Sequence, residues 1–294
     1  MPALASEPAV GSVRRRILAW YAADHRELPF RRSRDRWPVL VAEVMLQQTQ
    51  AARIAERFDA FMDRFPSAAT MAAATPADVI AAWSGLGYNR RALNLHAAAT
   101  EITRSGWPAT VEGLERLPGI GPYSARAVAS IALGQPVGAV DTNVRRWLVR
   151  RFAAEPGDAR ALQDLADSLA VSGRPNREQA GTWTHATMEF GARICSARSP
   201  RCDLCPVARG CPSRANPARV PVPRQNGATA TTRAARGALL RALAAAPGHR
   251  LSQAQARRLV GGTVDAADYE ALTEGLARDG LLHRSGRSLV LGPG

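Results

Sequence analysis

VEGLERLPGIGPYSARAVASIAL, residues 111–133, decides the architecture of this chain. It reads as a helix, the turn Leu117-Pro118-Gly119-Ile120-Gly121, and a second helix carrying alanines and β-branched residues. Pro118 ends the first helix because proline lacks the N–H a helix needs, and the two glycines permit a tight turn. Backbone N–H groups exposed where the second helix begins, with its dipole behind them, form an anion site suited to a phosphate. Gly-rich turns between helices are often only turns, but VDTNVRR follows at 140–146 and strengthens this reading.

Working outward, segments rich in Ala, Leu, Val and Arg recur at helical spacing from about residue 10 to 190, divided by short Pro or Gly punctuation. Strand signals are almost absent there. The pattern predicts roughly ten short helices, each burying one apolar stripe, with no repeat at a solenoid period. Residues 216–232, rich in Pro, Ala, Thr and Arg, cannot bury much and read as a linker. In 233–294 come ARGALLRALAAA, LSQAQARRLVGG with a Ser cap, DAADYEALTEGLARDG with Asp265 at its start, and a tail alternating around Ser-Gly-Arg as a hairpin would. Three helices and a hairpin suggest a small winged-helix-like α+β module.

The formal charge of +14 on 294 residues comes mostly from arginine, which favours a polyanionic partner, although GC-rich coding also enriches Arg and Ala. An apolar fraction of 46% is enough to fill a core. No apolar run is long enough to span a bilayer, and the first residues lack an apolar stretch after their charges, so a cytoplasmic protein without membrane partners is expected.

All four cysteines fall in one short segment: Cys195, Cys202, Cys205 and Cys211. That is too clustered for a disulfide framework. Structural zinc sites usually use two close cysteine pairs, whereas here only Cys202 and Cys205 are close; four thiolates in one loop suit a [4Fe-4S] cluster, with zinc as the alternative. Between the first two cysteines, Arg198 and Arg201 sit on a turn that would grip a phosphate or else be a solvated basic loop.

LPGIGPYSARAVASIALGQPVGAVDTNVRR, the cysteine spacing and VAEVMLQQTQ together resemble the endonuclease III superfamily, specifically its MutY adenine glycosylase branch. The resemblance runs from about Leu28 to Cys211. It implies an all-α, two-lobed helix-hairpin-helix glycosylase domain over 1–215: a six-helix barrel at 31–133, and an iron-sulfur lobe formed by 1–30 and 134–215. Double-stranded DNA containing a mispaired base would lie across the cleft, with the target nucleotide flipped out, and the protein would act as a monomer associated with the nucleoid.

Cutting a glycosidic bond to adenine needs a proton for the leaving base and a negative group beneath the developing sugar cation. Asp141 stands where the superfamily keeps its aspartate and is implied to be the ionised partner; as an ordinary residue it would simply cap a helix. By spacing alone Glu43, Gln47 and Gln50 form a polar stripe, usually a solvated face. By resemblance the stripe lines the cleft, and Glu43 is the general acid whose proton desolvation retains for the purine N7. Lyase members carry a lysine nucleophile where this chain has Tyr123, which implies a monofunctional enzyme with Tyr123 near the sugar. Gln48 and Tyr88 match residues that wedge into the duplex, Asn89 replacing a second aromatic there. The hairpin residues Gly119 and Gly121, with Asn143 and Arg145, belong to the implied DNA contacts.

Leu28 and Arg31 fit the family's base pocket, but Phe30 replaces the usual tryptophan, keeping a π face and losing a donor. His185 stands where many relatives read the adenine with Gln or Glu. Most relatives also carry a larger Nudix-like domain that reads 8-oxoguanine, for which 233–294 are too short and too helical. The activity that the resemblance implies is excision of adenine opposite 8-oxoguanine or guanine. The alternatives are a thymine or uracil mismatch glycosylase of the same fold, and a non-catalytic redox-sensing DNA-binding protein.

Overall fold

The computed structural model describes residues 7–217, 219–220 and 230–294, so most of the expected linker 216–232 lies outside the described residues. The fold is mostly helical with one small C-terminal sheet. Backbone contacts divide it into two compact units. One comprises Met1–Glu43, Pro108–Arg116 and Ile120–Pro223; the other comprises Val44–Trp107, Leu117–Gly119 and Arg224–Gly294.

In the first unit the helices Glu7–Ala23, Thr142–Phe152, Ala159–Val171 and Arg177–Arg193 bury one apolar stripe each around Ile17, Trp147, Leu148, Leu169, Trp183 and Phe190. Trp147 meets Trp183 and Phe190 edge-on, at centroid distances of 6.5 and 5.7 Å, the arrangement that ring quadrupoles favour. The hairpin's second helix, Pro122–Leu133, packs on Arg177–Arg193, and the polar groups buried there satisfy each other: Ser130 Oγ lies 2.7 Å from Thr184 Oγ1. Arg146 and Arg150 are buried rather than solvated. Arg146 donates to the carbonyls of Cys195 (2.8 Å) and Gly191 (2.6 Å), and Arg150 to that of Ser196 (2.7 Å), so two guanidiniums fix the start of the cysteine loop.

In the second unit Phe61 packs edge-on against Trp83 at 5.6 Å beneath short helices, several opened by caps such as Ser67 and Thr75. The C-terminal residues form three helices, Ala230–Ala245, Gln253–Val260 and Ala266–Arg278, and a three-stranded antiparallel sheet. Ser252 and Asp265 cap the second and third helices, as the sequence indicates. The hairpin pairs Leu282 with Leu291, and Arg250–Ser252 joins its open edge, a strand too short to carry a periodic signal. Leu239, Leu243, Leu276 and Leu289 share one core with Ile80 of the helix Pro76–Ala82.

One element differs from the periodic reading. The helix Arg36–Leu46 stops before Gln47, and Gln50 begins the next helix, Ala51–Ala55, so Glu43, Gln47 and Gln50 do not form a continuous stripe. Glu43 is buried, with 4% of its surface exposed.

Candidate active site

Three residues from separate helices meet in the first unit. Glu43 lies in Arg36–Leu46, Tyr123 at the start of Pro122–Leu133, and Asp141 caps Thr142–Phe152. Burial, with the charge of Asp141 nearby, raises the Glu43 carboxyl to about 7, against the opposing pull of the Tyr123 hydroxyl and Arg31. Glu43 Oε2 is buried and has no hydrogen-bond partner. Asp141 is held differently. Its Oδ1 accepts the Val144 N–H at 2.6 Å and its Oδ2 accepts the Asn143 amide at 2.9 Å. Burial pushes its carboxyl up as well, but these donors and Arg146 favour the anion. The Tyr123 hydroxyl stands 3.6 Å from Met188 Sδ and within hydrogen-bonding reach of Glu43, so its one proton has two acceptors, of which a carboxylate is the stronger. Burial and the two acids keep this phenol protonated.

Leu28, at the start of the short helix Pro29–Arg31, and Phe30 within it are buried. Arg31 donates to Glu189 Oε2 at 2.9 Å, and its charge is felt at Glu43, Tyr123 and His185. His185 is buried and, because burial and the charges of Arg31 and Arg34 disfavour its cation, neutral. A neutral imidazole offers one donor and one acceptor.

Asn143 spends its polar atoms within the chain, donating to Asp141 and accepting from Arg146 at 2.9 Å. Arg145 donates to the Pro156 carbonyl at 2.6 Å. Gly121 is exposed at the N-cap of the hairpin's second helix, and a Cβ there would meet nothing within 4 Å. Nothing within the chain therefore demands glycine at this place.

In the second unit, Gln48 and Tyr88 are both exposed and both lie in the left-handed region, at φ 58° and 46°. Such conformations are strained in residues other than glycine and persist only where surroundings enforce them. Arg91 supplies that enforcement. Its Nη1 donates to the carbonyls of Val44 (2.8 Å), Met45 (2.8 Å) and Gln47 (2.7 Å), and its Nη2 to Gly87 (3.0 Å), while its Nε reaches the Tyr88 carbonyl at 3.3 Å. One buried guanidinium thus ties the segments carrying Gln48 and Tyr88. Gly119 of the hairpin turn has φ 76°, and a Cβ there would lie 2.6 Å from Asn94 Cβ.

The four cysteines are free thiols, half-buried, and line one hollow together with Arg150, Pro200 and Arg201. Arg150 Nη1 stands 3.6 Å from Cys195 Sγ, a cation beside a prospective thiolate. Among the described residues no three His, Cys, Asp or Glu side chains converge into a group able to hold a metal ion. Arg198 and Arg201 are exposed on the loop.

Glu189, Arg26, Arg91, Arg146 and Arg150 are features of these sites that the sequence did not disclose. Each is an ionisable residue on a helix or beside one, normally solvated, and only long-range packing turns all but the part-exposed Arg26 inward. A carboxylate one turn beyond His185 was the sole signal for Glu189.

The hairpin, the helical frame and the two unequal acids define the class of helix-hairpin-helix base excision proteins. In agreement, the pattern of the HhH-GPD superfamily base excision DNA repair proteins matches residues 41–170. Adenine DNA glycosylase of Mycobacterium tuberculosis strain H37Rv is 40% identical over 312 aligned residues, covering all of both chains. That of Homo sapiens is 37% identical over 70% of this chain and 40% of its own. The chain belongs to the adenine DNA glycosylase family. Among solved structures, a thermostable thymine-DNA glycosylase shares the fold at a TM-score of 0.65 and 24% identity, over 71% of this chain and 97% of that one. Endonuclease III trapped as a covalent intermediate with DNA shares it at 0.60 and 22%, with the same coverage.

Proposed function

We propose that this chain is a base excision repair enzyme that hydrolyses the N-glycosidic bond of adenine mispaired with 8-oxoguanine or guanine in duplex DNA, acting as a monomer and leaving an abasic site. The observation that carries this reading is the unequal pair of acids: Glu43, proton-retaining with an open oxygen, and Asp141, accepting two hydrogen bonds, both acting on Tyr123. Glu43 gives its proton to N7 of the extruded adenine, which weakens the bond from C1′ to N9. As that bond breaks its electrons leave with the base, and Asp141 stabilises the sugar cation. Water adds to C1′ and its proton returns to Glu43. Tyr123 donates a hydrogen bond beside the reacting sugar, and neutral His185, with Leu28, Phe30 and Arg31, surrounds the base. The chain contains no lysine, all 39 of its Lys and Arg residues being arginine, so no lysine amine is present to cleave the strand.

For the DNA we assign the exposed amides around Gly119 and Gly121, the wedges Gln48 and Tyr88, the exposed pair Arg198 and Arg201, and the neighbourhood of Asn143 and Arg145. Open space at Gly121 supports close approach of a phosphate there. No described helix is long and apolar enough to cross a membrane, and the cytoplasmic nucleoid is the expected place of work.

Cys195, Cys202, Cys205 and Cys211 would hold a [4Fe-4S] cluster. One zinc ion at about 2.3 Å from each sulfur needs thiols about 3.8 Å apart, whereas a cubane spreads its four ligands over separate corners. Four thiols lining one hollow suit the larger cofactor. When bound it supplies no step of the hydrolysis and braces the loop that carries Arg198 and Arg201.

The test is to incubate the cluster-loaded protein with duplexes carrying A, T or U opposite G and 8-oxoguanine, then treat with hot alkali. Breakage confined to A-containing duplexes, and none before alkali, is expected. Breakage at T or U instead would replace adenine with a pyrimidine substrate, and no breakage with retained cluster-dependent binding would make the protein a sensor.

A further inference from the structure

The helix Arg177–Arg193 carries one carboxylate that the chemistry above leaves unused. Glu189 is entirely buried, at 0% exposure, yet it stays ionised because its oxygens are fully engaged. Oε1 accepts Arg26 Nε at 2.6 Å and the Arg26 N–H at 3.4 Å; Oε2 accepts Arg26 Nη2 at 2.8 Å and Arg31 Nη1 at 2.9 Å. Arg193 Nη1 adds a longer contact at 3.8 Å. The two main partners differ in setting. Arg26 keeps 42% of its side-chain surface in solvent, which screens its charge, whereas Arg31 keeps only 13%. Arg31 is also the partner whose charge reaches the acid: Glu43 is faced by Tyr123 from Pro122–Leu133, by Asp141 at the start of Thr142–Phe152, and by Arg31. Tyr21, stacked on His25 at 4.6 Å, and His185 complete the surroundings of Arg31.

An arginine in the pocket creates a conflict. It suits recognition of a purine edge, but an unopposed cation close to a buried carboxyl favours the carboxylate, lowering such a group by about 1–3 units. A glutamate that has lost its proton cannot protonate a leaving base. A guanidinium paired to a buried carboxylate acts instead as a dipole, whose field falls off faster with distance.

We propose that Glu189 is a positioning residue: it fixes the Arg31 guanidinium and neutralises it, so that Arg31 serves the base pocket without drawing the proton from Glu43. The inference rests on Glu43 being the acid of the proposed hydrolysis. Its geometry, two guanidiniums converging on one fully enclosed carboxylate, one of them the Arg31 whose charge reaches that acid, stands independently of the activity.

The experiment compares the cluster-loaded full chain with its Glu189→Gln variant, reading the Glu43 carboxyl by NMR titration of ¹³C-labelled glutamate, assigned with Glu43→Gln, and single-turnover base release against pH. Glutamine keeps the shape and removes the charge. Both the Glu43 titration and the alkaline limb of base release should move to lower pH by about one unit, so that release at pH 8 falls about tenfold while release at pH 5.5 changes less than about twofold. A limb and a titration that stay in place, even if the variant is less stable, would overturn the proposal, because a purely structural role lowers stability without moving either. If the glutamine variant does not fold, Glu189→Asp is read the same way: its charge is drawn back by one methylene, a smaller shift in the same direction supports the proposal, and none overturns it. If the parent chain releases no base from any duplex, the functional reading fails, and the titration still decides whether Glu189 controls Glu43.

Discussion

Glu43 and Asp141 form an electrostatically coupled pair with opposite hydrogen-bonding status: Glu43 Oε2 is buried without a partner, while both Asp141 oxygens accept hydrogen bonds from the helix that Asp141 caps. Burial raises both carboxyls, but the hydrogen bonds that Asp141 accepts oppose the rise there, whereas Glu43 is carried to about 7. Acid and cation stabiliser are roles that require this difference.

Glu43→Gln should reduce base release by about two to four orders of magnitude while leaving DNA affinity within a fewfold of the parent. The parent rate should fall as pH rises through about 7, where Glu43 loses its proton. The same raised value costs stability. Since the carboxyl moves from 4.5 to about 7 on folding, its favourable contribution is full below 4.5 and disappears as pH rises through about 7. Glu43→Gln should therefore be more stable than the parent at pH 8 by up to about 3 kcal/mol, and indistinguishable near pH 4; chemical denaturation at both values is the check.

Asp141 has two duties that substitution can separate. Asn keeps an oxygen for the Val144 N–H, so Asp141→Asn should hold its melting temperature within a few degrees yet lose most of its base release. Asp141→Ala should lose the activity and also about 1 kcal/mol of stability, as cap removal does. If the Asn variant turned over like the parent, the aspartate would be only a cap.

The hairpin glycines should part company. Gly119→Ala strains φ 76° and drives a Cβ into Asn94, so a loss of about 1–3 kcal/mol in denaturant unfolding is expected. Gly121→Ala meets open space and should leave stability unchanged while weakening duplex binding on the order of tenfold, measured by fluorescence anisotropy. Unchanged affinity would exclude the phosphate contact.

Arg91→Met should destabilise the fold by about 3 kcal/mol or more, because the carbonyls of Val44, Met45, Gln47 and Gly87 lose a common donor. Release of Gln48 and Tyr88 from their strained conformations should also remove the fluorescence rise of 2-aminopurine placed at the target nucleotide. Retention of that rise in a folded variant would show that the wedge segments hold their shape without Arg91.

Sequence by itself determined whatever depends on residue type at short spacing. The hairpin turn, the caps Ser252 and Asp265, the four thiols of one loop and the hairpin around Gly286 are local events, fixed by what proline, glycine, serine and cysteine can do within a few residues. Glu43, Tyr123 and Asp141 were legible only through resemblance, since spacing alone assigned Glu43 to a solvated stripe that the end of its helix at Leu46 abolishes. Tertiary structure alone decided which charges enter the interior: Glu189 onto Arg26 and Arg31, Arg91 onto the backbone beside Gln48 and Tyr88, Arg146 and Arg150 onto the cysteine loop. An arginine or glutamate on a helix is written identically whether it faces water or a buried partner. The partner comes from a distant segment, and the cost of burying a charge is offset only once the fold has brought that segment to it.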